Sequence, residues 1–237
     1  GDGRSITELT DRANHPAPPE TEIQRVTGAR ITAIDAYDET GKGQTGAVFA
    51  QDATGTPGPY QGIQLFKPAF SPPSFRPTPG DVVDIAGLYE EFQIPGLAFL
   101  DTSWKTPQLT GATVTLRLDA GGGAQAPASL VLTDLWLYPT GKKWLSLLVT
   151  VEGAVISGPL MESGGRATYP IKFPGPGMPP VPDDGTKPVN GPTVTNELFD
   201  LKQVMIPANV PVKRITGIVT IFDGFHIAPR SAADIEL

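Results

Sequence analysis

Glycine and proline interrupt this chain so often that it favours short strands joined by loops. The chain has 27 glycines and 26 prolines in 237 residues, over a fifth of the total, where a share of roughly an eighth is usual. Between these interruptions the apolar residues recur with period two, which is typical of half-buried strands. We therefore predict an all-β protein, long enough for one large β domain or two small ones.

The first half contains several alternating runs. The predicted strands are residues 26–37, 46–51, 62–66, 81–89 and 113–118. A Pro-rich loop is expected at 67–80, and residues 90–109 are expected to be irregular. Asp119 to Pro127 is the clearest break in composition and predicts a linker.

The second half has a similar order of alternating runs and loops. Residues 130–138, LVLTDLWLY, are the most apolar run, and the pattern leaves strand and helix open. Residues 144–157 predict a strand. Pro170 lacks the N–H that a sheet ladder requires, so residues 166–173 predict an edge strand. Residues 174–192 form a long Pro/Gly-rich loop.

The last 26 residues predict a hairpin that closes the sheet. Asp223-Gly224 is a turn dipeptide, because glycine tolerates the positive φ of a tight turn. Phe225 to Ala228 returns as a strand, and Pro229 ends it.

Five segments carry a resemblance to a known group of modules. They are VTGARITAI, GAVFAQD, GIQLF, PGDVVDIAGLYEEF and the terminal ITGIVTIFDGFHIAPRSAADIE. Together they resemble the OB-fold-like modules of exported bacterial lipoproteins and of secreted nucleases. The resemblance implies two tandem OB-like (Greek-key) small barrels with long Pro/Gly-rich loops. The helix that usually caps such a barrel is not recognisable in either half.

These observations predict four segments. Residues 1–21 form a flexible N-terminal tether, 22–119 the first OB-like domain, 120–126 a linker and 127–237 the second OB-like domain. The tail is polar and rich in Pro and Glu, as in an exported lipoprotein whose anchoring cysteine precedes Gly1. A plain disordered N-terminus would have the same composition.

Charge and residue types argue against several kinds of chemistry. The net charge of −7 opposes a general affinity for nucleic acid or anionic membranes. The absence of cysteine excludes disulfides and thiolate chemistry, and no apolar run approaches the ~20 residues that span a bilayer. The two histidines lack metal-ligand spacing, and Gly121-Gly122-Gly123 lacks the pattern of a phosphate loop. We expect no cofactor, no metal and no enzymatic activity.

Candidate binding residues are aromatic side chains next to basic ones, because OB folds stack ligands on such pairs. The candidates are Phe66, Lys67, Phe75, Arg76, Lys172, Phe173 and His226. Packing in the core or beneath loops is the alternative for the aromatic residues. His226 lies between Phe225 and Ile227 and is expected at a surface or groove edge.

The predicted function is that of a non-catalytic, exported binding or interaction module held near a cell surface. Its location would be periplasmic, outer-membrane-tethered or extracellular, its partner a protein or a cell-envelope component, and its only membrane contact an N-terminal anchor. One alternative is a structural subunit of an extracellular assembly, self-associating through edge strands. Another is a single-stranded nucleic-acid-binding OB module.

Overall fold

The computed structural model describes residues 3–19, 22–43, 45–97, 101–173, 178–181, 183–184 and 186–237. Strands predominate in them and form two sheets, one from each half of the chain. The first sheet includes a closed five-stranded barrel. The predicted all-β class is confirmed.

The first half builds barrel 1. Its elements are α1 (Ile6–Thr10), β1 (Ile23–Ile34), β2 (Val48–Asp52), β3 (Gly62–Phe66), β4 (Ala69–Ser71), β5 (Val82–Gln93), a 3₁₀ turn (Pro95–Leu97) and β6 (Lys105–Leu116).

The pairing of these strands closes the barrel. β1 pairs antiparallel with β2 and β5, β2 pairs with β3, and β5 pairs with β6. A parallel pairing of β3 with β6 completes the circuit, and the short β4 adds to β6 outside it. Counted along the chain, the barrel strands are arranged first–second–third–fifth–fourth, which is the order of an OB-fold barrel.

The N-terminal segment belongs to this barrel. Ile6 and Leu9 on one face of α1 are fully buried among the core side chains of barrel 1. Ser5 and Glu8 form a capping box, and Asp52 at the end of β2 accepts hydrogen bonds from the backbone N–H groups of Ile6 and Thr7 at 2.8 and 3.3 Å. The prediction of a flexible tether over 1–21 is therefore wrong for α1, because its apolar face completes the barrel core.

The second half builds barrel 2. Its elements are β7 (Ala128–Ser129), a 3₁₀ turn (Leu132–Trp136), α2 (Tyr138–Gly141), β8 (Leu148–Glu152), β9 (Val155–Ile156), β10 (Met161–Ser163), β11 (Arg166–Lys172), β12 (Asn190–Thr195), β13 (Arg214–Ile221), β14 (Gly224–Ala228) and β15 (Ile235–Glu236).

Barrel 2 repeats the strand order of barrel 1. β8 and β9 are two halves of its first strand, separated at Gly153, whose φ of 63° disfavours other residues. β9 pairs with β11, β11 with β12, β12 in parallel with β14, β14 with β13, and β13 with β8. The predicted tandem of OB-like barrels and its closing terminal hairpin are confirmed.

Three local predictions differ from the structure. Residues 90–109 are less irregular than expected, because β5 and β6 extend through Gln93 and from Lys105 as one long hairpin. β11 is an interior strand, because it pairs with β12 on one side and with β9 and β10 on the other. The run at 130–138 is mainly a 3₁₀ turn followed by α2, and its Leu135 and Trp136 pack into the core of barrel 2.

The two barrels share a small core of their own. Ala33 and Phe49 on the outside of barrel 1 pack against Leu148, Ile218 and Ala228 on the outside of barrel 2, together with Leu198. We call this contact the seam.

The predicted linker lies against barrel 1. The residues from 121 to 127 form no helix or strand. Gly123 nevertheless donates its N–H to the carbonyl of Gly80 at 3.2 Å and accepts from the Arg30 guanidinium at 2.6 Å. Part of the predicted 174–192 loop, residues 174–177, 182 and 185, lies outside the described residues; its end at 190–192 is already the start of β12.

Candidate functional site

The usual binding face of an OB barrel is partly covered in barrel 1. OB folds bind oligonucleotides and oligosaccharides mainly on the outer face of their second and third strands. In barrel 1 these are β2 and β3, and Phe49 and Gln51 of β2 are buried against barrel 2. The Gln51 side-chain carbonyl accepts the Leu148 N–H at 3.3 Å. The open part of this face lies further along β3.

A groove begins at the open end of β3 and runs between the two barrels. Its volume is about 350 Å³. We call it the phenylalanine groove; it is lined by Gln64, Phe66, Glu90, Phe92, Ile94, Thr106, Gln108, Thr110, Glu197, Ile221 and Phe222. Barrel 1 supplies the wall from β3, β5 and β6. Barrel 2 supplies Glu197, Ile221 and Phe222 from the ends of β12 and β13.

A polar row crosses the barrel 1 wall. Gln64 on β3, Gln108 on β6 and Glu90 on β5 are register partners across the three strands. Gln108 donates to the Glu90 carboxylate at 3.0 Å, and the Thr110 hydroxyl donates to the same oxygen at 2.7 Å. These bonds, first that from Thr110, lower the pKa of Glu90. Glu90 is therefore a fixed carboxylate acceptor.

Three exposed aromatic rings surround this row. Phe66, Phe92 and Phe222 are 40%, 45% and 40% exposed. The Lys67 ammonium lies 5.1 Å from the centre of the Phe66 ring, and the Arg166 guanidinium lies 4.6 Å from that of Phe222. Three exposed rings that line one groove form an apolar surface of the kind that marks a binding site.

The groove is acidic at both walls. Glu197 on the barrel 2 side accepts a hydrogen bond from Thr220 at 2.7 Å and faces the same space as Glu90. Among the described residues that line the groove there is no lysine or arginine. The arrangement offers carboxylate and amide groups between apolar ring faces.

The seven predicted binding residues do not gather in one place. Phe66 lines the groove and Lys67 lies beside it. Phe75 packs edge-on against Phe70 at the core of barrel 1. Arg76 is exposed and donates to neighbouring backbone carbonyls. Of these four, only the first two meet the groove.

The second-half candidates are placed differently. Phe173 is buried in the core of barrel 2, packed edge-on against Trp136, so it is no stacking platform. Lys172 is exposed on β11 beside it. The expected aromatic–basic pair is therefore wrong, because strand alternation turns Phe173 inward and Lys172 outward.

His226 is not the surface residue expected, since its side chain is only 7% exposed. Its Nδ1 lies 2.6 Å from the Thr193 hydroxyl, and its Nε2 lies 3.2 Å from the Asp223 carboxylate. Contact with His226 is the first cause that lowers the pKa of Asp223. The His226 ring thus links β14 to β12 and to the terminal turn, and these contacts stabilise the fold.

Sequence reasoning missed most of the groove. Phe92, Glu90 and Leu88 alternate along β5, so an outward face was detectable there. Phe222 and Glu197 belong to barrel 2, and the packing of the two barrels brings them to this wall; Gly96 of the turn after β5 lies directly against the backbone of Phe222.

The described part of the chain shows neither a metal cluster nor a membrane-spanning helix. It holds no group of three or more His, Asp or Glu residues placed to bind a metal ion. It also has no helix long and apolar enough to cross a membrane.

Comparison with known proteins adds no relative to this description. No protein-family model and no curated protein matches the chain. The resemblance to exported OB-like modules therefore stays a prediction.

Proposed function

We propose that this protein is a non-catalytic binding module and that the phenylalanine groove binds an uncharged carbohydrate chain. The observation that carries the proposal is the polar row of Gln64, Gln108 and Glu90, which lies among three exposed phenylalanine rings.

The chemistry of the groove suits a sugar ring. Aromatic faces pack against the apolar C–H faces of a pyranose, and carboxylate and amide groups accept and donate hydrogen bonds to its hydroxyls. Glu90 is already ionised and held in place by Thr110 and Gln108. A rigid acceptor loses little conformational entropy on binding, which favours affinity.

The same features disfavour the nucleic-acid alternative. Binding of a single strand rests on basic side chains along the phosphate backbone. Glu90 and Glu197 are the charged residues that line this groove, and the chain carries a net charge of −7. The alternative of an assembly built by strand addition has weaker support, because closed strand circuits leave few free edges.

Export and attachment to a cell surface are proposed on the composition of residues 1–21 and on the resemblance alone. A glycan of the cell envelope would be a partner consistent with that location. If an anchor precedes Gly1, the packing of α1 would hold barrel 1 close to it.

Binding can be tested by calorimetry with neutral oligosaccharides and by co-sedimentation with insoluble polysaccharides. We expect the double substitution Phe66→Ala/Phe92→Ala to cost about 2 kcal/mol, or roughly 30-fold in affinity, because each ring contact contributes about 1 kcal/mol. Leu118→Ala is the matched control, since Leu118 is an exposed apolar residue outside the groove.

Two outcomes would contradict the proposal. One is equal glycan affinity of the phenylalanine variant and the control. The other is salt-sensitive binding of an oligonucleotide that the double substitution weakens, which would make the groove a nucleic-acid site.

A further inference from the structure

A second cavity lies on the opposite face of the β5–β6 hairpin, between three parts of the chain. Arg12 follows α1, Glu91 and Lys105 lie on β5 and β6, and Tyr138 and Lys142 belong to the α2 region. The cavity measures about 260 Å³. We call it the cationic cleft. It shares no lining residue with the phenylalanine groove.

The charge of the cleft is opposite to that of the whole chain. Arg12, Lys105 and Lys142 line it together with one acidic residue, Glu91, whereas the chain has 25 acidic and 18 basic residues. Three cations against one carboxylate in the lining of a concave site favour the binding of small anions, although the charges of Asp11 and Asp101 also reach the lining residues Tyr60 and Tyr138.

Arg12 is held in position before any ligand arrives. Its terminal nitrogens donate to the backbone carbonyls of Glu8, His15 and Pro16. Its guanidinium lies over the Tyr89 ring at 5.2 Å. Its Nε has no hydrogen-bond acceptor among the described residues, and the nearest carboxylate oxygen, that of Glu91, is 3.9 Å away. The positive charge is thus fixed but incompletely neutralised.

Aromatic rings form another wall of the cleft. Tyr138 stacks on Trp104 with ring centres 4.9 Å apart and planes 13° apart. The Tyr138 hydroxyl accepts the Lys105 N–H at 2.7 Å and donates to the Lys105 carbonyl. Burial raises the pKa of Tyr138 to about 12, so the phenol stays neutral. Lys142 lies 5.9 Å from the centre of this ring.

We propose that the cationic cleft binds a small organic anion, a carboxylate or phosphate carried on a planar ring. The cations would neutralise the acid group, and the ring would contact the small exposed parts of Trp104 and Tyr138, which are 7% and 6% exposed. The volume of about 260 Å³ fits a single-ring compound and is below the size usual for larger ligands.

The test is a titration with phenyl phosphate at low salt, in which binding is measured by calorimetry and by tryptophan fluorescence. Benzyl alcohol lacks the charge, and inorganic phosphate lacks the ring. We expect sub-millimolar binding of phenyl phosphate, weaker binding of phosphate and none of benzyl alcohol. The affinity should fall as salt is added.

Lys142→Met and Lys105→Met should each weaken phenyl phosphate binding about tenfold or more, because a hydrogen bond to a charged group contributes about 1.5–3 kcal/mol. Lys42→Met removes an exposed lysine outside the cleft and should have no effect. Lys142 is itself exposed, so this variant should fold normally, and circular dichroism will confirm that.

Three results would overturn the inference. They are the absence of phenyl phosphate binding at low salt, equal binding of benzyl alcohol, and an affinity that the Lys142 and Lys105 substitutions change no more than Lys42→Met does.

Discussion

Asp35 is a carboxyl group whose ionisation is strongly disturbed by the fold. It follows β1 beside the seam, and one of its carboxylate oxygens is buried without a hydrogen-bond partner among the described residues. Burial, followed by the charges of Glu39 and Glu197, raises the pKa of Asp35 to about 7. The pKa of Glu39 is raised too, again mainly by burial. At a pH between 3.8 and about 7, Asp35 is therefore more protonated in the folded protein than in the unfolded chain.

This shift predicts lower stability at alkaline pH. A carboxyl group with a raised pKa in the folded state stabilises the protein fully below its unfolded pKa of 3.8, and this contribution is lost as the pH rises through about 7. We expect Asp35→Asn to raise the Tm at pH 8 and to change it little at pH 4. Thermal melts from pH 4 to pH 8 will measure the difference.

Asp183→Asn is the control, since Asp183 is exposed. If the Asp35 variant and the control have the same pH profile, the burial of Asp35 does not destabilise the folded protein at neutral pH.

At the scale of elements, α1 has a role that its composition conceals. It contributes only two apolar side chains, Ile6 and Leu9, and it lies in a polar segment. Both side chains are buried in barrel 1, and the chain between β3 and β5 holds the short β4 and no described helix. α1 therefore supplies a helix that covers part of the barrel core.

Removal of one of these side chains should destabilise the protein. Ile6→Ala should lower the free energy of unfolding by about 2–5 kcal/mol, because it leaves a cavity in a closed core. Ile23→Ala is the same change at a residue that is 62% exposed, and it should cost less than about 0.5 kcal/mol. Urea denaturation of both variants makes the comparison. If Ile6→Ala and Ile23→Ala lower the free energy of unfolding equally, α1 does not contribute to the core and residues 1–21 act as a tether.

Elements with clear local signals were predictable from sequence. β3 matches its prediction at both ends. The terminal hairpin is present, but it turns at Phe222-Asp223, one residue before the predicted Asp223-Gly224, and Gly224 begins β14 without the positive φ expected of it.

Pro170 predicts an edge strand for β11, because proline has no N–H to donate. Pro170 instead lies opposite Thr193, and its carbonyl accepts a hydrogen bond from the Ser157 N–H. An interior strand tolerates proline at a position where the ladder uses the carbonyl of that residue and does not need its N–H. The sequence does not show which positions of a strand are of this kind.

At the scale of the whole molecule, the seam makes the two barrels one body. A Cβ atom on Gly62 would lie 2.5 Å from the backbone of Ser146, so β3 approaches barrel 2 more closely than any side chain permits. The contact of Ala33 and Phe49 with Ile218 and Ala228 continues the same surface.

A methyl group at Gly62 should therefore push the barrels apart. We expect Gly62→Ala to reduce stability by about 1–3 kcal/mol through overpacking. Gly191→Ala is the control, because a Cβ there meets no atom within 4 Å. Differential scanning calorimetry will compare the two. An unchanged Tm for Gly62→Ala would mean that the seam is loose in solution.

The candidate groove was less predictable than the fold. Alternation in each half was enough to predict the strands, because it is a local property of strands, whereas the two barrels were expected from the resemblance alone. The groove needs Phe66 and Phe92 from one barrel and Phe222 and Glu197 from the other. These residues are close because the outer surfaces of the two barrels pack together. Their spacing along the chain does not predict that packing.

Glu197 can affect two equilibria, ligand binding in the phenylalanine groove and the protonation of Asp35. It lines the phenylalanine groove, and its charge helps to raise the pKa of Asp35. A ligand that donates hydrogen bonds to Glu197 would alter the field at Asp35 and so change its affinity for a proton. Thermodynamic linkage is reciprocal, so protonation of Asp35 would change the affinity for that ligand by the same factor. The groove would then respond to acidity near neutral pH, although the described residues of its wall include no histidine.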